Sequence, residues 1–278
     1  MLPEPILKIG EIKIHMYGVM IAVGILAAFI VLYTYGKKQG LHTKFIDFIY
    51  YNAIASIALG FGSAALFQSF YNYIENPEAG FKLGGGITFI GGLIGGAAAF
   101  LLIYLAFRKK LKGRLYEAIS LIPCCIFVAH GFGRVGCFFA GCCYGRPTES
   151  FLGVCFPNVA GKVHPTQLYE AAFLFIMFAI CSYLLLKKNF KHNMSVYLIA
   201  YGIFRFLIEF VRNDDRGQLV AGISPSQFWS ILMIGLGVGL IFIMNYIGKR
   251  FVPVAPVEAE TSETEAPEDA KDEVQDEQ

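Results

Sequence analysis

The sequence predicts an all-α, polytopic integral membrane protein of seven transmembrane helices, with its N-terminus outside and its C-terminus in the cytoplasm. Three observations carry this. Of the 278 residues, 56% are hydrophobic and only 16% are charged, with a mean hydropathy of +0.56, whereas soluble domains carry about a quarter charged residues. Seven continuous apolar runs have the length of about 20 residues that a helix needs to cross a bilayer core. Basic residues collect on alternate loops, which orients the bundle.

The first run, residues 16–35, is followed by Lys37, Lys38 and Lys44. The second covers 47–70. The third, 87–107, carries "GGGITFIGGLIGG", a glycine density suited to close helix packing or to backbone approaching a ligand. Arg108, Lys109, Lys110, Lys112 and Arg114 come after it. The fourth covers 115–135. The fifth, 167–186, is followed by Lys187, Lys188 and Lys191, the sixth covers 194–212, and the seventh, 227–247, is followed by Lys249 and Arg250. The alternate loops hold Lys82, Arg146, Lys162 and Arg216. The Lys/Arg-rich loops are the cytoplasmic ones, so "GCCYG" and "HPTQLYE" belong to the outer face. A barrel would show alternating segments of about ten residues instead of these continuous runs.

The membrane body spans 1–251. Residues 252–278 form an acidic tail with no aromatic residue, expected to be disordered and cytoplasmic. The start, "MLPEPILKIGEIKIH", lacks a basic segment followed at once by an apolar core and a small-residue cleavage site, so no removable signal peptide is expected. A net charge of +2 gives no basis for a nucleic-acid partner.

Ionisable groups inside apolar runs mark either a functional site or a buried pair. "YGIFRFLIEFVR" spaces Tyr201, Arg205 and Glu209 at i, i+4 and i+8, one stripe of a helix on which Arg205 and Glu209 pair. A structural pair locking two helices explains this stripe as well as a functional one does. Arg134 adds a second cation from another run, among Gly131, Gly133 and Gly136. Two such arginines call for more negative charge than Glu209 supplies. A phospholipid phosphate is the abundant anion at that depth, and guanidinium binds phosphate through paired hydrogen bonds. His164 and Glu170 of "HPTQLYE" line the outer mouth; the plain alternatives are a loop histidine and an acid near a helix N-terminus. Tyr17 sits at the outer boundary of the first run, where tyrosine also serves as an anchor.

"IHMYGVMIAVGI", "GGLIGG", "HGFGRVG…G…YGR", "HPTQLYE" and "YGIFRFLIEFVRNDD" together resemble the successive signatures of the prolipoprotein diacylglyceryl transferase family. The resemblance covers most of the membrane body and leaves out the acidic tail. It implies a multi-pass enzyme of the bacterial plasma (inner) membrane. Such an enzyme moves the diacylglyceryl group of phosphatidylglycerol to the lipobox cysteine thiol in a prolipoprotein signal peptide, with no metal or soluble cofactor. The family's functional positions fall on Tyr17, Arg134, Gly145, Glu170, Tyr201, Arg205 and Glu209. Arg134 and Arg205 are then expected to hold the phosphate, Glu209 to orient Arg205, and Tyr17 and Tyr201 to position the glyceryl group.

Three positions depart from the family pattern: Ile90 stands where the family has histidine, Cys137 where asparagine is usual, and Ser63 where arginine is usual. Isoleucine can neither accept nor donate a proton. His130, one turn before Arg134, is the leading substitute base, weighed against a packing histidine. The departures keep two alternatives open: a related phospholipid-dependent transferase with another acceptor, and a non-catalytic lipid-binding or thiol-sensing membrane protein.

Seven cysteines are present. Cys124, Cys125 and Cys181 lie in apolar runs and read as packing residues. Cys137, Cys142, Cys143 and Cys155 group around the outer loop. A disulfide from Cys155 to Cys142 or Cys143 is the leading expectation, suited to an oxidising compartment. Behind it come a metal site on Cys137, Cys142 and Cys143 with His130 or His164, and a nucleophilic Cys137 next to Arg134. Adjacent cysteines do not readily ligate one ion, and the spacing differs from common zinc modules.

Overall fold

The computed structural model describes residues 4–9, 12–82, 86, 88–157, 159–213 and 223–250. The acidic tail lies outside these residues. The chain is mostly helical: α1 (Met16–Lys38), α2 (Thr43–Glu75), α3 (Phe89–Phe107), the short α4 (Leu115–Ala118), α5 (Ile122–Ala140), α6 (Thr166–Lys188), α7 (Asn193–Ile208) and α8 (Pro225–Arg250). Five helices are long and apolar enough to cross a membrane, namely α1, α2, α5, α6 and α8. The apolar helices α3 and α7 are shorter.

Two antiparallel ribbons add to the expected all-helical pattern. They pair β1 (Leu7–Ile9) with β2 (Ile12–Ile14) and β3 (Val154–Cys155) with β4 (Lys162–Val163). Both are too short to leave a strand period in the sequence. The fourth apolar run is also displaced. It breaks after Ala118 and resumes at Ile122, with Pro123 in the first turn, where its missing N–H costs nothing. α5 therefore extends to Ala140 and closes on Gly141 in the left-handed conformation (φ 69°), a common glycine stop. The shift leaves Arg134 within the helix, before its last turn.

α5 is the centre of the bundle. It packs against α1 and α6 and touches α7, while α2 pairs with α3 and α7 with α8. Phe127 and Cys124 from α5, Leu121 just before it, Leu174 and Cys181 from α6, and Phe45 and Ile46 from α2 form the best-buried core. Large apolar side chains such as Leu26, Leu102, Phe210 and Phe242 stay exposed on the helix exteriors, as expected of a surface solvated by lipid tails. Buried polar side chains between helices are bonded: Asn52 donates to the Phe100 carbonyl, and Asn193 to those of Ser120 and Cys181.

Small residues set the α1–α5 separation. A Cβ added at Gly24 would lie 2.8 Å from the Ala129 carbonyl oxygen and 3.1 Å from Phe132 Cβ. Neither neighbour can yield, because one is helix backbone and the other is tied to it. Gly24→Val is therefore expected to destabilise the protein by about 1–3 kcal/mol through overpacking, read as a lower melting temperature in detergent. Gly18→Val, where a Cβ meets nothing within 4 Å, is the control and leaves the transition in place.

Candidate active site

Glu170 sits in the second turn of α6 and is fully buried. Its carboxylate is reached from two other helices. The Tyr201 hydroxyl of α7 donates to Oε1 at 2.8 Å. From α5, His130 Nε2 lies 3.5 Å from Oε1, and Arg134 Nε lies 3.0 Å from Oε2. The Arg134 contact is an ion pair without hydrogen-bond alignment, since neither Nε nor Oε2 completes a hydrogen bond. His130 and Arg134 are four residues apart and share a face of α5, which lets one acid engage both. The ring of Tyr201 meets His130 edge-on at 5.2 Å and stacks in parallel on Tyr197 at 5.9 Å.

This corrects the charge balance expected from sequence. Arg134 has a protein carboxylate, and Glu170 is the centre of the cluster rather than an acid at its mouth. The arginine is still not used up. Its contact with Glu170 runs through Nε, its side chain keeps 18% exposure, and no hydrogen bond from its terminal amino groups is formed among the described residues.

Arg205 has different surroundings. Nη1 donates to Glu209 Oε2 at 2.7 Å, as the i, i+4 spacing predicts, and Nη2 donates to Ser226 Oγ at 2.8 Å. Glu209 Oε1 accepts from Ser224 Oγ at 2.9 Å. Ser224 and Ser226, at the start of α8, are contributors that sequence reasoning missed. Their one signal is a helix-start pattern, Ser-Pro-Ser-Gln, which says nothing of a partner on α7.

The loop that follows α5 is fastened to the start of α6. Thr166 donates to the Cys143 carbonyl at 2.7 Å, and Gln167 donates to that of Cys142. Gly145 N–H donates to the His164 carbonyl at 2.8 Å. A Cβ at Gly145 would lie 2.6 Å from the Val211 carbonyl oxygen and 2.8 Å from Thr166 Cγ2, so only glycine fits that crossing. His164 Nδ1 lies 3.2 Å from the Tyr169 hydroxyl. Tyr17 is 43% exposed at the start of α1 and borders Gly136 of α5, whose added Cβ would stand 3.2 Å from the Tyr17 ring. Ser63 Oγ donates to the Gly91 carbonyl at 2.9 Å, so this departure ties α2 to α3. Of Ile90 the structure describes the backbone, within α3.

All seven cysteines are free thiols. The expected bridge to Cys155 is not formed. Cys142 and Cys143 group instead with Cys137, their sulfurs all within 4.8 Å of one another, and Cys155 is outside that group. Cys143 adopts φ 64°, a left-handed conformation that turns two consecutive side chains toward one side and has no reliable sequence signal for cysteine. Hydrogen bonds from the Cys137 and Cys142 thiols, with Arg212 and Arg134 nearby, hold the Cys143 thiol well below the ordinary thiol range, while Cys142 is pushed up by the same bonds.

Chemically, the arrangement offers a half-buried guanidinium engaged at one edge, beside a tyrosine bonded to the same carboxylate and a histidine 3.5 Å from it. It suits an anion whose charge grows during reaction. Removing the carboxylate tests whether it organises the three helices. Glu170→Ala is expected to cost about 3–5 kcal/mol by leaving a buried cation uncompensated. Tyr201→Phe, which deletes one donor, costs about 1 kcal/mol. Thermal unfolding of the purified proteins reads both, and an unchanged transition for Glu170→Ala contradicts the assignment.

Comparison with known proteins agrees with this chemistry. A family model described as prolipoprotein diacylglyceryl transferase matches residues 4–243. The phosphatidylglycerol–prolipoprotein diacylglyceryl transferase of Clostridium tetani is 38% identical over 252 residues, covering 87% of this chain and 97% of the relative. A Clostridium perfringens relative of the same name, numbered 2, is 34% identical and covers 87% and 96%. The Bordetella bronchiseptica relative is 33% identical and covers 84% and 92%.

Proposed function

Since the chain belongs to the prolipoprotein diacylglyceryl transferase family, we propose that it transfers the diacylglyceryl group of phosphatidylglycerol to the lipobox cysteine thiol of a prolipoprotein in the bacterial plasma membrane. The observation that carries this reading is Arg134: half-buried, anchored to Glu170 through Nε, and with terminal amino groups that form no hydrogen bond among the described residues.

In the reaction the acceptor sulfur attacks the glyceryl carbon next to the phosphate. A C–S bond forms, the C–O bond to phosphate breaks, and glycerol phosphate leaves with the bonding electron pair. Arg134 binds that phosphate and stabilises the charge that grows on it. The thiol proton passes to His130. With Nε2–H facing Glu170, the other ring nitrogen of His130 is the acceptor, and Glu170 stabilises the imidazolium that results. Tyr201, fixed through its donated hydrogen bond, keeps its oxygen available to accept from a hydroxyl of the head-group glycerol, and Tyr17 flanks the same mouth from α1. Arg205 adds positive charge from its place between Glu209 and Ser226. Gly145 and His164 shape the loop through which the peptide arrives.

The same reading sets the membrane arrangement. α3 and α7 join the five longer helices to make seven spans. The Lys/Arg-rich loops face the cytoplasm, and the Arg134–Glu170 cluster lies toward the outer leaflet. The glycine-lined α2–α3 contact, where an added Cβ at Gly95 would strike Ser63, lets the two backbones approach closely beside the lipid.

Bacteria depleted of their own transferase and carrying this chain test the proposal. Mass spectrometry is expected to find a diacylglyceryl thioether on a reporter lipoprotein. An unmodified reporter in cells with well-expressed protein contradicts it; release of glycerol phosphate without reporter modification identifies a different acceptor. Arg134→Lys keeps the charge but loses the paired donors, and is expected to lower the transfer rate by about 10²–10³-fold, measured with phosphatidylglycerol vesicles and a lipobox peptide.

A further inference from the structure

The three-thiol group at the outer end of α5 is not used by the transfer chemistry above. We propose that Cys137, Cys142 and Cys143 form a binding site for one thiophilic cation of the Zn²⁺ class, with three protein ligands and an open fourth position.

Geometry carries the inference. Cys137 lies in the last turn of α5, which stops at Gly141 in the left-handed conformation. The chain then doubles back so that the Cys142 N–H donates to the Cys137 carbonyl at 3.2 Å, and the Cys142 thiol lies 3.7 Å from the same oxygen. In extended backbone, consecutive side chains point to opposite sides, and a vicinal pair then offers one sulfur to any ion. The left-handed Cys143 (φ 64°) removes that alternation and brings both sulfurs to Cys137. All three sulfurs lie within 4.8 Å of one another. Tetrahedral thiolates at about 2.3 Å from zinc stand about 3.8 Å apart, so closing onto an ion takes a movement of about 1 Å or less.

The site is also supported from behind. The carbonyls of Cys142 and Cys143 are held by Gln167 and Thr166 of α6, which fixes the loop much as outer hydrogen bonds fix ligands in metal sites. Cys142 is exposed, so the loop gives an ion a way in from water. Three thiolates and Zn²⁺ carry a net charge of −1. Tris-thiolate coordination leaves the fourth place to water or to an incoming thiol.

The site does not rest on the transfer reaction, and its test needs no activity. The full-length protein is purified in detergent under reductant, stripped of metal and titrated anaerobically with Co²⁺. An intense thiolate-to-cobalt charge-transfer absorption that saturates at one equivalent and is displaced by Zn²⁺ is expected. Cys137→Ser, Cys142→Ser and Cys143→Ser should each raise the Zn²⁺ concentration for half-saturation by at least about 100-fold, while Cys155→Ser leaves it unchanged. Absence of the band, a band that survives all three substitutions, or a disulfide among the three found by mass spectrometry of unreduced protein overturns the proposal. Loss of transfer with the cobalt band intact bears on the reaction and not on this site.

Discussion

A carboxylate removed wholly from water must find donors and positive charge, and Glu170 finds them on two helices other than its own. Tyr201 of α7, with His130 and Arg134 of α5, converges on its two oxygens. Desolvation of a lone carboxylate costs far more than one hydrogen bond returns, so the cluster draws the three helices together. The positions of Arg134, His130 and Tyr201 follow from this requirement. Arg134 approaches the carboxylate through Nε, His130 faces it through Nε2, and Tyr201 donates its hydroxyl proton to it.

The same constraint divides the labour between two arginines that look equivalent in sequence. Arg205 spends both terminal nitrogens on Glu209 and Ser226, and with them ties α7 to the start of α8. Arg134 engages Glu170 through Nε, and its terminal amino groups form no hydrogen bond among the described residues. A phosphate that binds Arg134 therefore displaces no protein hydrogen bond from the terminal amino groups, whereas one that binds Arg205 competes with two. Glycines make the approach feasible: Gly24, Gly131 and Gly136 allow α1 and α6 to lie against α5 at separations that side chains would prevent.

Much of this was legible in the sequence, for identifiable reasons. Spans 20 residues long announce themselves because lipid demands continuous apolarity, and the Tyr201–Arg205–Glu209 stripe follows from helical periodicity alone. Contacts between helices left no such trace. Nothing local says that Glu170 meets Arg134, so its proximity to a helix start suggested a milder role. Ser224 and Ser226 were missed because their partners lie on the preceding helix. The break before Pro123 was hidden by the apolarity on both sides of it. The three-thiol group depends on one unusual backbone angle at Cys143, and a residue type that rarely adopts it gives no warning.

The central proposal is that Arg134, whose terminal amino groups form no hydrogen bond among the described residues, binds the phospholipid phosphate more directly than Arg205 does. Native mass spectrometry of protein released from nanodiscs containing phosphatidylglycerol and phosphatidylcholine tests this directly. The account predicts that the wild type retains phosphatidylglycerol, that Arg134→Met loses it while remaining folded with its Glu170 partner replaced by Leu, and that Arg205→Met in a Glu209→Gln background retains it. Equal retention by the Arg134 variant, or loss confined to the Arg205 variant, would contradict it.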